Sequence, residues 1–247
     1  MAAGHGVGDG VGMRRFPALF VSALLAIAAF AEEFRAVDDF TRGLDRWVVE
    51  QQPNGTVTAQ DGILRIDDVG GCTVWLKEKL TAPVVIRYEA RVLSSGRVSD
   101  LNCFWMASDP RHTDLFASGH GRNGKFGTYD ALLTYYVGYG GNANTTTRFR
   151  RYDGTGTRPL LPEHDRQTPE FLLQADHWYQ IELVATGDGK VQFSRDGVVI
   201  FDFHDPAPLR EGWFGFRTVN SRIEIRKLRL SSPAVPATSR SARAEPQ

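Results

Sequence analysis

The chain has 247 residues, with 29 lysines and arginines against 29 aspartates and glutamates and a formal net charge of zero. That balance argues against nucleic acid as a bulk electrostatic partner, which calls for a basic excess. Hydrophobic residues at 42% and charged residues at 23% exclude a disordered chain, and no coiled-coil, collagen or multi-span membrane pattern is present.

Residues 1–31 read as a signal peptide with an N-terminal extension. Met13-Arg14-Arg15 is a basic start, 16–30 is an apolar run short for a membrane span, and Ala29-Phe30-Ala31 has the small-x-small pattern that signal peptidase reads. An uncleaved anchor is the alternative. The expectation is a secreted or periplasmic protein that leaves the membrane after cleavage and stays monomeric. Export permits disulfides. Cys72 and Cys103 both fall in expected strands, and a single bridge or two buried thiols are both open readings.

The body, 32–230, reads as one domain of strands. Ile63–Ile66 and Thr73–Leu76 are two short ones. Val84, Ile86, Tyr88, Ala90 and Val92 alternate with Val85, Arg87, Glu89 and Arg91, a period of two with one dry face. Asn102–Met106 reads as a central strand. Its faces are ambiguous: Phe104 and Met106 suit the core, which leaves Cys103 and Trp105 on the open face, where Trp105 could stack on a sugar, and a core Trp105 is the equal alternative. Ser108–Tyr129 is a long polar, glycine-rich segment. From Leu133 to Tyr139, Leu133, Tyr135, Val137 and Tyr139 share the core face and Tyr136 faces outward beside Thr134 and Gly138. Gly140–Asn144 is a turn, and Thr145–Tyr152 resumes extended structure. Ile181, Leu183 and Ala185 alternate again. Asp196-Gly197 is a two-residue hairpin signal. Phe214 and Phe216 face the core, with Trp213 and Arg217 opposite. Residues 231–247 read as a disordered tail. Many short strands with regular turn signals predict an all-β fold, an antiparallel β-sandwich or jelly roll.

The order of pieces carries a resemblance. DDFTRGLDRWVVE near the start, then DGILRID and PVVIRYEARV, and late DHWYQIELVATGDGKVQFSRDGVVIFDF before GWFGFRTVNSRIEIRKLRL, resemble the layout of concanavalin-A-like jelly rolls of carbohydrate-active proteins over 37–230. The blocks RVSDLNCFWMASDP and LLTYYVGYGGNANTTTRFRRYDG are similar to a bacterial family of secreted domains of unknown function associated with polysaccharide utilisation. The resemblance implies an oligo- or polysaccharide partner. The 3-keto-disaccharide hydrolases share the layout, so a 3-keto-glycoside hydrolase is a further alternative, although their motifs are not found.

The richest chemistry lies in 134–152. Three arginines in four positions of one β segment, Arg148, Arg150 and Arg151, sit beside the amides of Asn142 and Asn144. Guanidinium forks grip carboxylates. The site expected from these residues has Tyr136 as acid or base of a β-elimination, His120 as its alternative, and Arg148 and Asn144 neutralising a uronate. Asn102, Trp105, Tyr139, Asn142, Arg150 and Arg217 shape the cleft, Tyr139 only if its strand ends before it. The competing reading pairs the arginines with Glu89, Glu182, Asp153 or Asp130. No pair of carboxylates with retaining-glycosidase spacing is spelled locally. No cofactor or catalytic metal is expected. A structural calcium ion on the doublets Asp38-Asp39 and Asp67-Asp68 is the one ion considered. The expected function is cleavage of an acidic polysaccharide by elimination, and the alternative is a non-catalytic carbohydrate-binding module or lectin.

Overall fold

The computed structural model describes residues 34–231, so the segment 1–31 and the tail from 232 lie outside the described residues. Alternating patterns become strands. The first seven are β1 (Arg35–Asp38), β2 (Trp47–Gln51), β3 (Thr56–Gln60), β4 (Ile63–Asp67), β5 (Cys72–Leu76), β6 (Leu80–Thr81) and β7 (Val84–Val92). Next come β8 (Asn102–Ser108), β9 (Leu133–Gly140), β10 (Thr146–Asp153) and β11 (Asp165–Arg166). The last are β12 (Tyr179–Ala185), β13 (Lys190–Arg195), β14 (Val198–His204), β15 (Glu211–Thr218) and β16 (Arg222–Ser231). The final strand thus includes Ser231, which pairs with Val85.

These strands form two antiparallel sheets. Sheet A runs β14-β13-β12-β7-β16-β4-β3, with β1 beside β16, and sheet B runs β11-β10-β9-β8-β15-β5-β2, with β6 beside β15. Burying one face of each sheet against the other makes the core of a β-sandwich. Ile86, Tyr88, Ala90, Leu183 and Ile225 come from sheet A, and Val74, Val137, Phe149, Phe214 and Phe216 from sheet B. Tyr88 meets Phe216 edge-on at 5.0 Å. The Asp196-Gly197 turn has φ of 51° and 77°, the left-handed pair a two-residue hairpin needs.

The ambiguous faces of β8 resolve to the core reading of Trp105. Cys103 and Trp105 point into the inter-sheet core, while Phe104 packs on the outer face of sheet B with Trp75 and Tyr136. The cause is a β-bulge. Met106 adopts φ of 53°, and the pairing with β9 and β15 slips there. Met106 is in the core as expected, but counting back by twos from it crosses the bulge and inverts its neighbours. Gly212 makes the bulge possible, since a Cβ there would lie 2.2 Å from Met106 C.

Cys72 and Cys103 are buried and unbridged. They sit on β5 and β8 with β15 between them. Two strand spacings put them roughly 10 Å apart, beyond disulfide reach.

The outer face of sheet B is not open. Residues 109–132 fold over it, and Leu115, Tyr129, Leu132, Tyr136, Tyr152 and Trp213 are buried in a second apolar layer. Glu50 pins this loop. Its carboxylate accepts hydrogen bonds from Trp75 Nε1 (2.9 Å), Tyr129 Oη (2.7 Å) and Arg122 Nε (3.2 Å). Arg122 also reaches Asp109 Oδ2 at 3.3 Å and the carbonyl of Leu115.

Candidate functional site

Pairing registers place side chains in rows across sheet B. One row runs Trp75, Gly215, Phe104, Tyr136, Arg150. The next runs Glu50, Thr73, Arg217, Asn102, and ends at Arg148 and Asp165 beyond Gly138. Gly138 carries no side chain, so the floor dips between Asn102 and Arg148. The Tyr136 hydroxyl leans over that dip, 3.3 Å from where a Gly138 Cβ would be.

A cavity of about 310 Å³ opens at this end of the sheet. Tyr136, Gly138, Asn142, Arg148 and Arg150 line it, together with Arg97, Asp100, Phe126, Thr146 and Arg158. Three of its arginines have carboxylate partners. Arg148 grips Asp165 with two hydrogen bonds of 2.9 Å, Arg97 lies 3.6 Å from Asp100, and Arg158 lies 3.5 Å from Asp130. Arg150 has no carboxylate partner among the described residues; its guanidinium donates to the carbonyl of Arg158. Burial, then the charges of Arg148 and Arg158, lower its pKa, opposed by Tyr152. The arginine partners are thus Asp165 for Arg148 and, for Arg151, Asp205 at 2.9 Å, not Glu89, Glu182, Asp153 or Asp130.

The wall of the cavity is an unusual turn. After Gly140 at φ of 66°, Asn142, Ala143 and Asn144 are at 52°, 60° and 62°. Asparagine enters this left-handed region at lower cost than most residues, whereas alanine does not. The Asn144 amide holds the turn, accepting from Leu173 N at 2.8 Å and donating to Leu173 O at 2.9 Å. Asn144 is therefore a structural clasp, and Asn142 is the amide at the cavity.

Tyr136 itself is 5% exposed, with Phe104 at 4.7 Å and Phe126 at 5.6 Å. Burial is the main cause of a pKa raised well above the ordinary tyrosine value of 10.0, only partly offset by Arg217. Arg217 is fully buried between the rings of Phe126 and Tyr129, each 4.8 Å away. Its Nη1 donates to Thr73 Oγ1 and Gly124 O, while Nε and Nη2 have no hydrogen-bond partner among the described residues. Asn102 is buried beside it and donates to Asp100 Oδ1 at 3.2 Å.

Other expected site residues lie elsewhere. Trp105 packs in the core at 5.5 Å from Tyr135. The strand carrying Tyr139 runs on to Gly140, so Tyr139 faces the core, where its hydroxyl accepts from Arg195 Nη1 at 3.0 Å. His120 sits 3.8 Å from Glu50 Oε1, with its pKa lowered first by burial and then by Arg122. Glu50 is on β2, four strands from β9. At about 4.8 Å per strand, His120 and Tyr136 belong to separate regions. Arg97, Asp100 and Arg158 come from turns and loops and Phe126 opens a single 3-10 turn, Phe126–Tyr129, and no local periodicity marks them.

The acidic doublets are occupied by the protein's own donors. Asp38 accepts from Phe40 N and Trp47 Nε1, Asp39 from Thr41, and Asp68 from Gly71 N and Asn220 N, while Asp67 pairs with Arg222. Among the described residues no group of three His, Cys, Asp or Glu is placed to hold a metal ion. A second, larger groove of about 570 Å³ lies on the outer face of sheet A. Arg87 and Glu182 pair there, as do Lys227 and Glu89, so its carboxylates are matched, unlike the cation Arg150.

No helix among the described residues is long and apolar enough to cross a membrane. The fold is similar to that of solved proteins at low sequence identity. A Bacillus subtilis protein of unknown function with a galectin-like fold is 19% identical, with a TM-score of 0.60 over 76% of this chain and 90% of that one. The carbohydrate-binding module CBM66 from Bacillus subtilis is 13% identical, with a TM-score of 0.53 over 76% and 96%. A β-1,3-1,4-glucanase from a mouse hindgut metagenome is 10% identical, with a TM-score of 0.54 over 83% and 100%. No curated protein matches the chain. Residues 66–228 match the family model for a domain of unknown function, DUF6250, and the chain belongs to that family.

Proposed function

We propose that this protein is an exported carbohydrate-associated domain that binds an acidic saccharide in the arginine-lined cavity of sheet B. The observation that carries the reading is Arg150, a half-buried cation at the cavity without a carboxylate partner among the described residues. Desolvating an unpaired cation is unfavourable, and an anionic ligand group relieves it. Asn142 and Thr146 supply hydrogen-bonding groups to sugar hydroxyls, and Phe126 supplies a partly exposed aromatic face. Carbohydrate-binding and glucan-cleaving neighbours of the same fold support a saccharide over other anions. The test is calorimetric titration with uronic-acid oligosaccharides and with neutral oligosaccharides of equal length. Saturable binding of the acidic series alone, lost in Arg150→Gln, is expected. Equal binding of both series overturns it.

A second reading is β-elimination, favoured by the Tyr136 hydroxyl sharing the cavity with Arg148 and Arg150. In that reaction Arg150 neutralises the uronate, with Arg148 held beside it by Asp165. A base takes the proton beside the carboxylate, a carbon–carbon double bond forms, and the glycosidic carbon–oxygen bond breaks. The leaving oxygen takes a proton; burial keeps the Tyr136 hydroxyl protonated, so it carries one, although the same burial makes it a weaker acid than a free tyrosine. Ultraviolet absorbance from the unsaturated product, together with new reducing ends, tests it. Reducing ends without absorbance exclude elimination.

A further inference from the structure

The outer face of sheet A, on the opposite side of the sandwich, carries an organised charge excess. The central strands β4, β16, β7 and β12 turn alternate residues outward. Arg222 and Asp67 make a neutral pair at one end. Beyond it, on these four strands, cations outnumber carboxylates two to one among the described residues, and β13 and β14 add one charge of each sign, Lys190 and Asp202. Glu224, 1% exposed, lies between Arg65 and Arg91, with hydrogen bonds of 2.5–2.8 Å from both. Glu89 accepts from Arg226 Nε at 2.7 Å and from Lys227 Nζ at 2.8 Å. Glu182 accepts from Arg87, which is paired in register with Arg229.

The excess is built by the backbone. Register between β16 and β7 slips between Arg226 and Arg229, and Lys227 there has φ of 55°. A regular strand would send Lys227 to the opposite face from Arg226. The bulge aims both at Glu89, which adds one cation to the face. Neighbouring strands lie about 4.8 Å apart and same-face residues of one strand about 6.8 Å apart, so the charges form a grid rather than a point. Gln180, Gln192 and Ser194 add polar groups along the same groove of about 570 Å³.

We propose that this face is a second binding surface, which takes an extended strand of an anionic polysaccharide by charge complementarity. The saccharide class rests on the carbohydrate reading above, while the surface and its residues are independent of the sheet B cavity. A short ligand fills the cavity alone, whereas a polymer engages the grid through many weak contacts that salt screens.

The experiment uses the full chain and four probes: polygalacturonate, its trimer, a neutral β-glucan and a DNA duplex. Binding is measured at low and at raised salt. The double variant Lys227→Asn with Arg229→Gln keeps a residue suited to left-handed backbone at the bulge. Its unchanged thermal unfolding confirms folding. The expected result is polymer binding weakened by about fivefold or more, with a shallower salt dependence and unchanged trimer binding. Polymer binding equal to wild type overturns the proposal, and so does a wild type that binds no polymer. DNA bound as tightly as polygalacturonate, and lost in the same variant, overturns the polysaccharide assignment. If the trimer fails to bind while polymer binding remains sensitive to the double variant, the cavity reading fails and the sheet A surface stands.

Discussion

Arg148 and Asp165 are joined twice across β10 and β11, Nε to Oδ1 and Nη2 to Oδ2, each at 2.9 Å. Arg148 lines the arginine-rich cavity, where Arg150 is left without a carboxylate partner among the described residues. The fork fixes Arg148 in place, and it also spends the charge of Arg148 inside the protein.

Asp165→Asn therefore moves stability and affinity in opposite directions. The hydrogen bonds from Arg148 are the main cause holding the Asp165 carboxyl below its ordinary value of 3.8. A carboxyl with a lowered folded pKa stabilises the fold above its ordinary value, and that contribution is lost as pH falls through the lowered one. Wild type should lose this stability below the ordinary aspartate range, whereas the variant, lacking it already, shows a flatter acid limb. At neutral pH the variant should be about 1–2 kcal/mol less stable by urea unfolding. The freed Arg148 should tighten binding of an acidic oligosaccharide a few-fold. Weaker binding would mean that the fixed geometry of Arg148 matters more than its free charge.

Much of the sandwich is legible in the sequence because period-two alternation directly records which face is dry, as in β7 and β12. The face of Trp105 is ambiguous in the sequence because the bulge at Met106 interrupts that period, and nothing local in Asn-Cys-Phe-Trp-Met announces a bulge. Tyr136, Arg148, Arg150 and Asn142 share a cavity because they lie on adjacent strands and the turn beyond one of them, a proximity that short-range reasoning reaches. His120 does not join them, since where a long loop settles depends on its anchor, here Glu50 on a strand some 70 residues earlier. Phe126 and Arg158 are not legible in the sequence, since each sits on a connecting segment whose resting place is set by tertiary packing.

Glu50 should prove the keystone of residues 109–132. It is 5% exposed and bonded to Trp75, Tyr129 and Arg122. Glu50→Ala leaves buried Arg122 with Asp109 as its remaining carboxylate and two aromatic donors without an acceptor. Breaking a buried pair from one side costs about 3–5 kcal/mol. Amide hydrogen exchange should show early loss of protection over 109–132, ahead of β7 and β16. Uniform loss across the molecule would show that the loop does not open on its own.

Arg150→Gln and Tyr136→Phe should separate binding from turnover. Removing the Arg150 charge should weaken acidic oligosaccharide binding by about tenfold or more, with stability little changed because no carboxylate is orphaned. Tyr136→Phe keeps the ring against Phe104 and Phe126 and removes only the hydroxyl over Gly138. Affinity should change by less than about threefold. If the protein eliminates, the ultraviolet product signal should vanish in this variant. A signal that persists removes Tyr136 from the chemistry and leaves it as a wall of the cavity.

Gly212→Ala tests the bulge that sets both faces of β8. The added methyl carbon would lie 2.2 Å from Met106 C, 2.5 Å from Met106 O and 2.7 Å from Ala107 N, all backbone atoms that no rotamer change can move aside. Relief requires β8 and β15 to separate at the centre of sheet B, at a cost of about 3 kcal/mol. The consequence reaches past stability. If the bulge is ironed out, Phe104 and Trp105 exchange faces, the stack of Phe104 on Trp75 and Tyr136 is broken, and the floor of the cavity goes with it. The variant should therefore lose saccharide binding even under conditions where it remains folded. Melting temperature and titration measured on the same sample check this. A variant that is destabilised yet binds normally would show that the sheet parts locally and keeps its faces, so that Gly212 matters for packing alone.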